Sequence, residues 1–151
     1  MMNESAGQGL GRRRRVIVGV ALGGLSVSQA VIGGWALLAP ARFYTGFPAA
    51  DHPWVALLPP FNEHLVRDVG ALSLALAALL AVAAIIGGRL LVRTGVASFA
   101  LYAVPHTLFH ALHLQNFAAG DAAAQMAGFA LQLLLALVAL LATFGGDSGK
   151  R

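Results

Sequence analysis

The chain has 151 residues, of which 58% are hydrophobic and 11% charged; soluble domains carry about 25% charged residues. Such a composition fits one small membrane domain, and the absence of cysteine excludes disulfides, thiolate-bound zinc, iron–sulfur clusters and thiol catalysis. The net charge of +4 comes largely from Arg12 to Arg15, which abut an apolar run, so it reads as a topology signal and not as nucleic-acid binding.

Residues 1–15 read as a basic cytoplasmic tail whose Gly-rich start resembles a mobile end. The apolar stretch 16–38 follows. Ala39-Pro40-Ala41 is loosely cleavage-like, yet the stretch, at about 23 residues, exceeds a signal-peptide core of roughly 7–15 and is long enough to span a bilayer. It reads as a retained span. Gly23-Gly24, Ser28 and Gly33-Gly34 would let another helix approach closely.

Residues 39–60 combine five prolines with Phe43, Tyr44, Phe47 and Trp54, a mixture suited to an interfacial segment. Asn62 or Phe61 leads into a second span at about 66–87. Gly87-Gly88-Arg89 is a basic turn. A third span covers about 91–114 and contains Pro105, which should bend it just ahead of the histidines. A fourth span covers about 122–144, followed by a short cytoplasmic tail, 145–151, ending in Lys150 and Arg151. No 20–50-residue repeat is evident.

With four spans, Arg12–Arg15, Arg89, Arg93, Lys150 and Arg151 fall on one side. The positive-inside rule then places both termini in the cytoplasm. The expected fold is therefore all-α: an integral, multi-pass four-helix bundle of the cell membrane, because backbone groups in lipid must be satisfied within helices.

Polar groups inside such a chain are costly, and four of the five histidines fall in two clusters. His106, His110 and His113 are spaced i, i+4, i+7 and share a face of a helix. Glu63, His64, Arg67 and Asp68 open the second span, where Glu63 with Arg67 and His64 with Asp68 are spaced to pair one turn apart. The topology brings both clusters, with Asp121 and Gln125, to the outer half of the bundle.

Imidazole and carboxylate together suit a divalent transition metal. The candidate ligands are His64, Asp68, His106, His110 and His113, with Glu63, Arg67 and Asp121 as supporting residues. Haem b would need two axial histidines on facing helices, for example His64 and His110. A proton relay and plain interhelical hydrogen bonding are the other uses of the ladder. Gln29, Gln125 and Gln132 read as interhelical hydrogen-bond partners, and Trp35, Phe43, Tyr44 and Trp54 as interfacial belt residues.

In size and layout the chain resembles DoxX-like small four-span membrane proteins, including the DUF4345-type members. The likeness rests on the Gly-Gly in the first span, the proline-aromatic loop, and Asn62-Glu63-His64-Leu65-Val66-Arg67-Asp68-Val69-Gly70-Ala71, where an Arg is followed by small residues. The resemblance implies the four-span fold and hardly a function, and the His106–His113 ladder departs from it. Sterol-isomerase (EXPERA-type) bundles are similar in using His and carboxylates within a small helical cavity.

The leading expectation is a small membrane protein with an outward-opening His/carboxylate site. It would bind a metal ion or a small lipophilic ligand such as a quinone. Its rivals are an accessory subunit packing on a larger membrane complex or on itself, and a membrane enzyme doing acid–base chemistry on a lipid.

Overall fold

The computed structural model describes residues 10–144. The tail 145–151, including the basic pair Lys150 and Arg151, and residues 1–9 lie outside the described residues. Four long helices dominate: α1 (Arg12–Leu38), α3 (Glu63–Ile86), α4 (Arg89–Ala111) and α5 (Ala119–Leu141). Between α1 and α3 lie a short helix α2 (Pro40–Gly46) and a hairpin of β1 (Pro48–Ala49) and β2 (His52–Pro53), antiparallel with Ala49 opposite His52. Three helices, α1, α3 and α5, are long and apolar enough to cross a membrane, and their large exposed apolar side chains, such as Val20, Leu72 and Leu134, point to a membrane protein.

Local sequence explains the breaks. Pro40 occupies the first turn of α2, where its missing N–H costs nothing. Asn62 caps α3, its side chain accepting the Leu65 amide at 3.1 Å. Gly87 ends α3 at φ 67°, in the left-handed region that glycine enters without strain.

Helix α1 packs along α3 most extensively and also touches α5, while α4 packs against α3 and α5. The α1–α3 seam depends on two glycines. A Cβ on Gly33 would lie 2.8 Å from the Gly70 carbonyl oxygen, and one on Gly70 would lie 2.6 Å from the Leu37 nitrogen. In lipid, where apolar burial does little to drive helix association, this backbone approach supplies the packing. Ser26 adds a hydrogen bond across the same seam, its hydroxyl donating to the Ala77 carbonyl at 2.8 Å. The core around Val18, Leu22, Leu25, Leu80, Val92 and Phe99 joins α1, α3 and α4.

The helix limits differ from the expected spans in a consistent way. Helix α1 starts at Arg12, so the arginines form its first turn, and α3 starts at Glu63 because Asn62 supplies the cap. Helix α4 runs through Pro105 but ends at Ala111, and α5 starts at Ala119. His113 is therefore not on the helix of His106 and His110. The loop expected at 39–60 contains α2 and the hairpin.

Charged side chains mark the two ends. At one, the Arg15 guanidinium donates to the Ile86 carbonyl at 3.4 Å, and Arg93 donates from Nε to Thr143 Oγ1 at 3.0 Å. At the other, Arg67 donates to the Leu37 carbonyl in the last turn of α1. A cation there satisfies one of the carbonyls that a helix end leaves open.

Candidate ligand-binding cavity

The α1–α3 contact and the α4–α5 contact leave a space between them, beneath the aromatic loop. It forms a cavity of about 330 Å³, within the range of small-molecule sites, roughly 300–1,000 Å³. Its helical wall includes Gln29 of α1, Val66 and Val69 of α3, His106 and His110 of α4, and Gln125 and Phe129 of α5. Phe43, Tyr44, Phe47 and Trp54 contribute from α2 and the loop.

The rings hold one another in place. Trp35 packs edge-on against Phe43 and Phe47, at centroid distances of 5.9 and 6.0 Å, and Phe47 meets Trp54 at 6.4 Å. On the opposite wall Tyr102 stacks on His106 at 5.2 Å, and His106 meets His110 at 4.6 Å. Phe129 lies against both imidazoles, at 5.2 and 5.1 Å. The i, i+4 spacing of the two histidines thus places them side by side on the cavity wall.

The polar atoms carry the chemical information. Gln29 Oε1 and Trp54 Nε1 are buried and have no hydrogen-bond partner among the described residues, while the buried polar atoms of His110 and Gln125 meet only each other. All four belong to residues that line this cavity. Gln29 and Gln125 are 1% and 3% exposed. An unmade hydrogen bond at a buried polar atom costs roughly 1–3 kcal/mol, so their convergence on one space is the strongest functional signal in the molecule.

The five expected metal ligands do not converge. His64 pairs with Asp68 at 3.2 Å, but its side chain is 86% exposed and neither residue lines the cavity. Glu63 and Arg67 pair at 2.8 Å as their spacing predicts, and Arg67 also reaches the end of α1, so both serve to seal helix ends. His113, past the end of α4, stacks on Phe109 at 4.1 Å, and its Nδ1 lies 2.6 Å from the Phe109 carbonyl oxygen. Asp121 is engaged by His52, with Nδ1 and Oδ1 2.8 Å apart, and so fastens the hairpin to α5. Among the described residues no group of three or more His, Asp or Glu side chains comes together as a metal-holding set. Nor does His64 share the cavity of His110 as an axial partner would. Of the five, only His106 and His110 belong to the cavity.

Other cavity residues carry expectations that need correcting. Gln125 meets His110 between α5 and α4, as an interhelical partner would, whereas Gln29 Oε1 has no partner. Phe43, Tyr44 and Trp54, expected as interfacial aromatics, also line the cavity. His52 carried no assignment. The available signal was cost: an uncharged amide within an apolar helix is retained for a partner, and a histidine in a loop can reach an acidic residue at a helix start.

No family model, curated protein or solved structure matches this chain.

Proposed function

We propose that the protein is a four-span integral membrane protein that binds a small, neutral lipophilic ligand in the cavity beneath its aromatic loop. The class includes quinones. The observation that carries this reading is that buried polar atoms of Gln29, Trp54, His110 and Gln125 belong to the lining of one largely apolar, aromatic space, those of Gln29 and Trp54 without a partner. A few placed polar groups in an apolar wall are what small-molecule sites use for orientation. No Asp, Glu, Lys or Arg is among the lining residues, which disfavours a charged ligand, because a buried charge needs a partner.

In this reading α4 is the fourth span. Its 23 residues rise about 35 Å at roughly 1.5 Å each, enough for a hydrocarbon core of about 30 Å. Arg12–Arg15, Arg89 and Arg93 then lie on the cytoplasmic side, as do both termini, and the cavity opens toward the outer leaflet.

Photo-crosslinking in vesicles tests the binding. A neutral, diazirine-bearing alkyl lipid should label peptides within 102–110 and 125–132, and excess unlabelled lipid should compete it away. Labelling spread over outward-facing positions such as Val20 and Leu72, without competition, would contradict the reading.

A further inference from the structure

We infer that the ligand of this cavity carries a hydroxyl group on a ring, donating to Gln29 and accepting from Trp54. The inference rests on the binding reading above and narrows it to a chemical class.

The unpartnered atoms set complementary demands. Gln29 Oε1 only accepts hydrogen bonds, whereas Trp54 Nε1–H only donates. His110 Nδ1 can do either, according to its tautomer. A ligand that offers acceptors alone, such as an ether or ester, leaves the Gln29 oxygen unmet. Charged headgroups find no counter-ion in the lining. A hydroxyl is a neutral group that donates and accepts from one atom, matching one unmet acceptor, Gln29 Oε1, and one unmet donor, Trp54 Nε1.

The ring follows from the wall. His110 sits 5.1 Å from Phe129, one turn along α5 from Gln125, so the polar atoms adjoin flat surfaces. On the loop side Trp54 stands edge-on to Phe47. Aromatic faces favour offset or edge-on contact with another ring, so a ring-borne hydroxyl meets stacking surface and hydrogen-bond partners together. A saturated chain alcohol would use only the latter.

The test compares 4-nonylphenol with 4-nonylanisole, its methyl ether, on the full-length protein in nanodiscs. Binding is followed by intrinsic tryptophan fluorescence. The phenol should bind saturably and about tenfold more tightly, the difference expected when one buried acceptor is satisfied or left unmet. Gln29→Leu should reduce the preference to less than about threefold. Equal affinities for phenol and ether in the wild-type protein would overturn the hydroxyl assignment while leaving the cavity as a lipid site. A preference that persists in this variant would overturn the role of Gln29. Saturable binding of neither probe would overturn the binding reading itself. The wild-type comparison stands without the variant, should it fail to fold.

Discussion

Asp121, in the first turn of α5, holds the His52 imidazole 2.8 Å from its carboxylate oxygen, with a side chain only 18% exposed. The pair ties the hairpin, and through it Trp54 and Val55 on the cavity wall, to a helix more than sixty residues later in the chain. The loop is thus a roof fastened at a side-chain contact as well as by its own aromatic packing.

Removing that fastening should loosen the roof and spare the helices. Asp121→Asn or His52→Ala should speed amide exchange in residues 47–58 by roughly fivefold, the factor for about 1 kcal/mol. The half-exposed His52 limits the pair's worth to about that value. Amides in α1 and α3 should be unchanged. Unaltered exchange in the loop would show that its aromatic contacts alone hold it.

The seam of α1 and α3 should be intolerant of size at Gly33 and Gly70 alone among their glycine neighbours. Gly70→Ala should destabilise the protein by about 1–3 kcal/mol, the cost of overpacking a tight contact. At Gly23 an added Cβ meets nothing within 4 Å. Gly23→Ala should therefore stay within about 0.5 kcal/mol of wild type. Thermal unfolding in detergent measures both, and equal effects at the two positions would contradict the close approach.

The two histidine clusters should separate by function. His110→Phe should weaken 4-nonylphenol binding by about tenfold through the lost ring nitrogen. His64→Ala and Asp68→Asn should leave it unchanged, because both residues lie outside the cavity. If the substitutions at 64 and 68 weaken binding as much as that at 110, the clusters form one site after all.

Arg67 should matter modestly and at the end of α1. Arg67→Ala removes both the Glu63 pair and the donor to the Leu37 carbonyl. With a half-exposed side chain the loss should be about 1 kcal/mol or less, read as fraying of residues 35–38 in hydrogen exchange. Glu63→Gln, which keeps the Leu37 contact, should cost less.

Much of the helical layout was legible because it depends on local signals. Long apolar runs, Asn62 as a cap, Gly87 as a stop and the i, i+4 pairs all act over a few residues. Periodicity also put His106 and His110 on one face. It could not show that α4 ends at Ala111, and so it carried His113 along with them. The partners of Gln29, Gln125, His52 and Asp121 depend on where α1, α5 and the loop meet, and no local pattern encodes that. His64 opens α3 at the outer end, as its position in the chain suggests, but its exposed side chain points away from the cavity of His106 and His110, which no local pattern shows.

The most direct test of the cavity is to fill it. Gly128 lines the space, and a Cβ there meets nothing within 4 Å, so Gly128→Trp should occupy the cavity without displacing the helices. Binding of 4-nonylphenol to purified wild-type and variant protein in nanodiscs, measured alongside their melting temperatures, is the decisive comparison. The account predicts saturable binding of one equivalent to the wild type and its loss in a variant that melts at or above the wild-type temperature. Equal binding by both proteins would contradict it.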